Sequence, residues 1–222
     1  MTNKAIPIIT IDGPSASGKG TISSKVAEIL GFTYLDSGII YRLVALETIY
    51  LGASLDDEKK LISIAKNLET IFVNNDVEFS KKISNKTIRE EKIALAASKI
   101  AIYPLLRHSL IDLQRKYKKP PGLVADGRDM GTKIFPEACL KVYLSADLKI
   151  RAKRRYKQLI EKGFSANMSD LLNNINTRDS ADKSRGVSAL RPAVGARVID
   201  SSKMEIDEVV HQVLGWYYEI SS

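Results

Sequence analysis

The sequence predicts an α/β protein in which helices cover both faces of a parallel sheet. Short β-branched segments alternate with segments in which apolar residues recur every three or four positions. The first β-branched segment, Ile6 to Ile11, is followed by a glycine-rich turn and then by an amphipathic helix. No internal repeat or Gly/Ser-rich linker interrupts this alternation. We therefore expect a doubly wound sheet in one domain spanning residues 1–222.

Five strands and several helices are expected in chain order. The predicted strands are Ile6–Ile11, Thr33–Leu35, Leu123–Ala125, Lys141–Leu144 and Arg197–Ile199. A helix is expected from about Gly38 to Tyr50. Before the last helix, Ser202 and Glu205 have the spacing of a capping box. The apolar face predicted for that helix comprises Ile206, Val209, Val210, Val213, Leu214 and Tyr217.

The pattern changes between about residues 55 and 90, where a small inserted α+β lobe is expected. A polar helix precedes two short β-prone segments, Ile71–Val73 and Val77–Phe79, which are separated by Asn-Asn-Asp. An Asn-rich turn between two such segments predicts a hairpin. The segment Lys82–Ile88 is a candidate for a third strand.

The composition excludes several classes of protein. With 44% hydrophobic and 27% charged residues in 222, the chain is neither disordered nor collagen-like. A membrane-spanning helix needs about 20 apolar residues, and the first apolar stretch contains Pro7 and ends at Asp12, so neither a spanning helix nor a signal peptide is expected. The single cysteine, Cys139, allows no internal disulfide, which predicts a cytoplasmic location.

The net charge of +8 favours an anionic partner, and its distribution indicates a local phosphate-binding element. Six cations fall within nine residues: Lys149, Arg151, Lys153, Arg154, Arg155 and Lys157. The alternative is that these residues form an ordinary solvated helix face.

The strongest chemical signal is a glycine-rich segment between the first strand and the first helix. It consists of Gly13, Pro14, Ser15, Ala16, Ser17, Gly18, Lys19, Gly20 and Thr21. Backbone N–H groups of such a loop surround phosphate oxygens, and the lysine supplies a full positive charge to the outer phosphates. We therefore predict that it binds a polyphosphate. Because Gly20 follows the lysine, direct ligation of magnesium by Thr21 is only one alternative.

A phosphate-binding loop alone does not define a reaction. The sequence lacks an Asn-Lys-x-Asp segment and an Asp-x-x-Gly switch, which argues against a GTPase. No strand ends in Asp-Glu, as a motor ATPase would prefer. These absences leave a small-molecule kinase as the favoured class, and the remaining residues are typical of a site for a second phosphorylated molecule.

Four segments closely resemble the bacterial cytidylate kinase family: Gly18–Thr21, Leu35–Arg42, Ala125–Thr132 and Glu161–Phe164. The resemblance implies a P-loop kinase core with a five-stranded parallel sheet flanked by helices. It also implies a monophosphate-binding lobe at about 55–90 and a helical lid at about 149–185.

The resemblance further implies roles for individual residues. Those matching the acceptor-phosphate positions are Ser37, Arg42, Arg128 and Arg185. Those matching the cytosine-recognising positions are Ser98, Arg107 and Asp129, and those near the sugar are Arg178 and Asp182. The expected catalytic cations are Lys19, Arg128, Arg151, Arg154 and Arg155. From spacing alone, Arg178, Asp182 and Arg185 are more typical of a solvated salt-bridge ladder on one helix face than of a ligand site.

The reaction implied is phosphoryl transfer from ATP to CMP, and to dCMP, with Mg²⁺ bound mainly through nucleotide and water. The alternatives are a UMP or AMP kinase on the same core, or a basic nucleic-acid-binding module. The sequence contains no helix-turn-helix, zinc or aromatic-platform pattern, so no nucleic-acid partner is expected. A monomer with no membrane association is expected.

Overall fold

The computed structural model describes residues 5–74, 86–161, 163–184 and 188–221. It divides into two compact units: the first contains residues 1–35 and 117–222, and the second contains residues 36–116. The lobe predicted at about 55–90 falls within the second unit. None of the helices in the described ranges combines the length and the apolar character needed to cross a membrane.

The five predicted strands are confirmed, with ends that differ by one or two residues. They are β1 Ile8–Asp12, β2 Thr33–Asp36, β3 Leu123–Gly127, β4 Leu140–Ser145 and β5 Arg197–Asp200. The strands form one sheet in the order β2-β3-β1-β4-β5. Strand β1 lies parallel to β3 and β4, and β4 lies parallel to β5. The predicted parallel α/β class is therefore confirmed.

Helices flank this sheet. In the first unit they are α1 Lys19–Leu30, α7 Leu148–Glu161, α8 Met168–Ser184 and α9 Ile206–Ser221. The second unit, described by itself, contains the helices α2 Ser37–Tyr50, α3 Glu58–Asn74, α4 Glu91–Ile100, α5 Pro104–Ser109 and α6 Ile111–Arg115. A 3₁₀ turn at Lys86–Arg89 and a π-helical turn at Met130–Ile134 complete the described elements.

The core of the first unit lies between the sheet and helices α1 and α9. Ile9 and Ile11 of β1 are fully buried, and Val26 of α1 and Val213 of α9 belong to the same apolar cluster. Both faces of β1 are buried because it is the central strand, which explains its unbroken β-branched sequence. This core fixes the carboxyl ends of β1 and β3 side by side, where Asp12 pairs in register with Gly127.

The hairpin predicted in the insert is wrong in its first strand. Helix α3 continues through Ile71–Val73, because Ile71 and Phe72 extend the three-to-four-residue spacing of the buried Leu61 and Leu68. Residues 75–85, which include the predicted turn and second strand, lie outside the described residues. The predicted third strand is wrong over its last three residues, which belong to the 3₁₀ turn at Lys86–Arg89.

The capping box predicted from Ser202 and Glu205 is wrong. Helix α9 begins at Ile206, and the carboxylate of Glu208 accepts a hydrogen bond from the N–H of Glu205 at 2.7 Å. The hydroxyl of Ser202 instead bonds to the carboxylate of Asp200 at 2.5 Å. The N–H of Glu205 is therefore satisfied by Glu208 and not by Ser202.

Candidate functional site

The predicted phosphate loop lies at the carboxyl end of β1, the edge at which parallel α/β sheets bind ligands. A Cβ atom at Gly13 would collide with the carbonyl oxygen of Leu144, so only glycine fits there. Gly18 has a φ of 92°, in the left-handed region, and α1 begins at the next residue. The loop therefore leads directly into a helix N-terminus, whose N–H groups and dipole favour an anion.

The lysine of the loop lies close to the loop backbone. Lys19 Nζ donates a hydrogen bond to the carbonyl oxygen of Pro14 at 3.3 Å, while Thr21 is exposed. A Cβ atom on Gly20 would lie 3.5 Å from both Asp126 Oδ2 and the hydroxyl of Tyr34. Tyr34 donates to Asp126 Oδ2 at 2.5 Å. A buried carboxylate thus lies beside the position where most phosphate loops carry a hydroxyl.

Arg128 follows β3 and links helix α8 to the phosphate loop. Its Nε donates to Asp182 Oδ2 at 2.5 Å, and its NH2 donates to Ser15 Oγ at 3.0 Å. Burial alone would lower the pKa of Arg128, but Asp182 and the carboxylates around it raise that pKa above its usual value. The guanidinium therefore stays charged and is held in one orientation.

Ser15 is also bonded through its backbone, on both sides of the residue. Its N–H donates to Asp179 Oδ1 at 3.2 Å, and its carbonyl oxygen accepts from Arg151 NH1 at 2.9 Å. The two side chains form an ion pair, with Arg151 NH1 at 2.6 Å from Asp179 Oδ2. Ser15, Arg151 and Asp179 are all buried. We call this three-residue arrangement the Ser15 clamp.

The residue after Ser15 has an unusual backbone conformation. Ala16 has a φ of 58°, the only positive value for a residue other than glycine in the described ranges. For a side-chain-bearing residue the left-handed region costs roughly 1–2 kcal/mol. Such a conformation persists only when surrounding contacts fix the backbone.

Asp12 holds the segment that follows Arg128. Its two carboxylate oxygens accept from the N–H groups of Met130 and Gly131, both at 2.9 Å. Burial raises the pKa of Asp12 to about 6, although the two backbone hydrogen bonds act in the opposite direction. Asp129, the predicted base-recognising acid, is buried immediately before Met130. Asp12 therefore fixes the backbone of the two residues that follow Arg128 and Asp129.

The raised pKa of Asp12 predicts a pH-dependent stability that Asp12→Asn lacks. Because the folded-state pKa of about 6 lies above the ordinary value of 3.8, the contribution of this group is complete below pH 3.8 and is lost as the pH rises through 6. As the pH rises from below 3.8 to above 6, ionisation of Asp12 should lower the free energy of unfolding of the wild type by about 3 kcal/mol.

Urea unfolding of both proteins at pH 4 and pH 7 measures the effect, since other titrating groups cancel in the difference. We expect the stability of the wild type relative to Asp12→Asn to be lower at pH 7 than at pH 4. If the free energies of unfolding of the two proteins differed by the same amount at both pH values, the raised pKa of Asp12 would be contradicted.

The basic cluster lies on α7, and two of its arginines contact the phosphate loop. Besides its place in the Ser15 clamp, Arg151 donates through Nε to the carbonyl oxygen of Ala146 at 2.9 Å. Arg154 donates to the carbonyl oxygens of Ser201 at 2.6 Å and of Ser17 at 3.4 Å. Arg155 donates to Gln158 of the same helix at 2.7 Å.

The second unit carries four of the predicted acceptor-site residues. Ser37 is the first residue of α2 and is buried, and Ser98 lies on α4. Arg42 of α2 donates to the carbonyl oxygen of Ile88 at 3.0 Å. Arg107 of α5 donates to the carbonyl oxygen of Ala101 at 3.0 Å.

Arg107 also stacks on an aromatic ring, with its guanidinium carbon 5.5 Å from the ring centroid of Tyr41.

Of the remaining predicted residues, Arg178 lies on α8 together with Asp182, and Arg185 lies outside the described residues. Within the first unit, the structure thus brings together Ser15, Arg128, Arg151 and Asp182.

A family model described as cytidylate kinase matches residues 9–219. The chain belongs to the cytidylate kinase family. The matched region includes both the phosphate loop and the Ala125–Thr132 segment, so the family predicted from those motifs is confirmed.

Similar proteins carry the same name over nearly the whole length. A cytidylate kinase of Ralstonia nicotianae is 49% identical over 97% of this chain and 94% of its own length. One from Polynucleobacter asymbioticus is 50% identical over 96% of this chain and 97% of its own length. A crystal structure of an uncharacterized protein from Eubacterium ventriosum has 11% identity and a TM-score of 0.51, covering 95% of this chain and 97% of that one. The last likeness concerns the fold alone.

Several residues of the site were not singled out from the sequence. Asp179 precedes Asp182 by three residues on α8, and that spacing on one helix face was a usable signal. Asp12 is the last residue of a buried strand and directly precedes the glycine loop, where an acidic residue is unusual enough to suggest a role. Tyr34 and Tyr41 carried no such signal, because aromatic residues next to apolar ones are typical of a core.

Proposed function

We propose that the protein transfers the γ-phosphoryl group of ATP to the phosphate of CMP, and of dCMP, giving ADP and the cytidine diphosphate. The family match carries the proposal, because it spans residues 9–219 and therefore includes both the phosphate loop and the segment that supplies Arg128 and Asp129. The bonds of Ser15 to Arg128, Arg151 and Asp179 support it, since they tie the loop to the arginine predicted to hold the acceptor phosphate.

The phosphate loop is the proposed donor site. The N–H groups at the start of α1 and the ammonium of Lys19 supply positive charge to the outer phosphates of ATP. Lys19 lies against the loop backbone through Pro14, so little reorganisation is needed when an anion replaces the carbonyl oxygen as its partner. We propose the whole segment from Gly13 to Thr21 as the ATP-binding element.

The proposed metal is Mg²⁺ bound with ATP, and the oxygen donors near Gly20 fit it. Mg²⁺ prefers oxygen ligands and retains several waters. The buried carboxylate of Asp126 is oriented by Tyr34 and lies beside Gly20, so it is suited to hold a water of the ion, while Thr21 lies exposed on α1. The bound ion would neutralise charge that develops on the transferring phosphoryl group.

The proposed acceptor-phosphate residues are Ser37, Arg42, Arg128 and Arg185. An arginine fork matches a phosphate dianion, and a guanidinium carries five N–H donors. Arg128 can therefore retain Asp182 and Ser15 while it presents N–H groups to a phosphate. We propose that Asp182 orients Arg128 and, with Arg178, lies near the sugar.

For the base we propose Ser98, Arg107 and Asp129. Cytosine presents an amino donor beside acceptors at N3 and O2, so an acid, an arginine and a hydroxyl complement its edge. The contact of Arg107 with Tyr41 and with the carbonyl oxygen of Ala101 keeps its guanidinium in one orientation. Uracil reverses part of the donor pattern and is disfavoured.

The chemistry requires positive charge more than a base. A phosphate monoester has a second pKa near 6, so the nucleophilic oxygen of the acceptor is mostly ionised at neutral pH. The protein must therefore hold two anions together and exclude water. We propose that Lys19 and Arg128 supply charge at the reacting groups. The helical region 149–185 would form the lid, with Arg151, Arg154 and Arg155 contributing to its charge.

Phosphoryl transfer from ATP to CMP tests the proposal. With Mg²⁺ present we expect CDP and ADP in equal amounts, separated by anion-exchange chromatography. Inorganic phosphate without CDP would contradict a kinase, and salt-sensitive binding of RNA without transfer would favour a nucleic-acid-binding module. A monomeric state and a cytoplasmic location remain predictions.

A further inference from the structure

Asp179 of α8 has no role of its own in the proposed reaction, although it contacts the phosphate loop. Its carboxylate accepts from the N–H of Ser15 with one oxygen and pairs with Arg151 through the other, at 3.2 Å and 2.6 Å. Arg151 completes the Ser15 clamp by donating to the carbonyl oxygen of Ser15. We propose that Asp179 and Arg151 are positioning residues that fix the phosphate loop for ATP, which gives Arg151 a role other than contact with the transferred group. This inference rests on the proposed function only in that it takes ATP as the ligand of the loop.

The backbone of the loop explains why such a clamp is needed. The carbonyl oxygen that Arg151 holds belongs to the peptide bond joining Ser15 to Ala16. Rotation of that peptide plane changes the φ of Ala16, which is 58°. Because the left-handed region is unfavourable for alanine, the loop relaxes unless the plane is fixed. The bond from Arg151 therefore acts on the peptide plane that sets the φ of Ala16, while Asp179 orients Arg151 and holds the preceding peptide through the N–H of Ser15.

Burial explains why the clamp uses a carboxylate. Arg151 is 6% exposed and Asp179 is 7% exposed, so each charge is largely removed from water and requires the other. A neutral side chain at position 179 would leave the guanidinium of Arg151 without its counter-charge. The orientation of Arg151, and with it the bond to Ser15, would be lost.

Helix α8 holds Ser15 through a second, separate route. Asp182, three residues after Asp179, pairs with Arg128, whose NH2 donates to the hydroxyl of Ser15. Residues three apart on a helix lie on the same face. One face of α8 thus fixes the backbone of Ser15 directly and its side chain through Arg128, which allows the two routes to be tested independently.

The test compares Asp179→Asn, Arg151→Gln and the double variant with wild type. We expect each single substitution to raise the KM for ATP about tenfold, the loss expected when one hydrogen bond to a charged group is removed. The KM for CMP should change less than twofold, because Asp182 and Arg128 are retained. The KM for ATP of the double variant should be no higher than that of either single variant, because each single substitution already removes the Ser15 clamp.

Hydrogen exchange gives a readout that is independent of catalysis. In Asp179→Asn the amides of Gly13 and of residues 15–19 should exchange faster, whereas those of β1 and β3 should not change. Adding Ala16→Gly to Asp179→Asn should restore part of the ATP affinity, because glycine adopts the left-handed conformation without strain. Asp170→Asn is the matched control, an exposed acid on the same helix that should behave as wild type.

Three results would overturn the proposal. They are wild-type loop exchange in both single variants, losses that multiply in the double variant, and an equal rise in the KM for ATP and CMP. If Asp179→Asn does not fold, the same measurements on Arg151→Gln decide the question. If the wild type transfers no phosphoryl group to CMP, the proposed function fails, while loop exchange still tests the clamp.

Discussion

Lys19→Ala should abolish phosphoryl transfer while the protein remains folded. The side chain lies beside the phosphate loop, bonded to the carbonyl oxygen of Pro14, and does not belong to the core. Removing a charge that contacts the transferring group costs about 3 kcal/mol or more, which is a loss of at least a hundredfold in kcat. Steady-state kinetics with ATP and CMP measures it.

The matched control is Lys25→Ala on the same helix. Lys25 pairs with Asp207 at 2.6 Å, and both side chains are exposed, so its loss should change neither kcat nor the melting temperature appreciably. A folded Lys19→Ala protein with near-normal turnover would show that the loop does not hold the donor phosphates.

Asp129→Ala should change the specificity for the base. If Asp129 accepts a hydrogen bond from the amino group of cytosine, its loss removes a contact that UMP does not make. We expect kcat/KM for CMP to fall about ten- to a hundredfold, or roughly 1.5–3 kcal/mol, with little change for UMP. Arg128→Ala should instead lower kcat/KM for both acceptors alike, because both carry the same phosphate.

The comparison of these two variants separates base recognition from phosphate binding. Asp129 is buried next to Arg128, so Asp129→Asn is a useful second variant that keeps the shape of the side chain. Equal losses for CMP and UMP in both Asp129 variants would assign Asp129 to the support of Arg128.

The sheet and the phosphate loop could be predicted because their signals are local. Ile8–Asp12 is a β-branched strand, Gly13 and Gly18 occupy positions that only glycine fits well, and Lys19 begins a helix. Each of these features lies within a few residues along the chain. The insert was less predictable because Ile71–Val73 has high β propensity and also continues the apolar spacing of the helix before it. In the structure these residues are helical, because α3 extends to Asn74.

The bonds that position the loop could not be predicted, because they join distant parts of the chain. Ser15 and Asp179 are 164 residues apart, and Ser15 and Arg151 are 136 apart. The sequence shows Arg151 only as one of six neighbouring cations, with nothing to distinguish it from the exposed ones. Its burial against Asp179 depends on how α7 and α8 pack beside the loop, which is a property of tertiary structure.

The protein should phosphorylate CMP in preference to other acceptors. This preference is tested most directly by measuring kcat/KM for CMP, dCMP, UMP and AMP with saturating ATP and Mg²⁺. We predict the highest value for CMP, a comparable one for dCMP, and values lower by at least tenfold for UMP and AMP. A value for UMP or AMP equal to or above that for CMP would show that the protein is not a kinase specific for CMP.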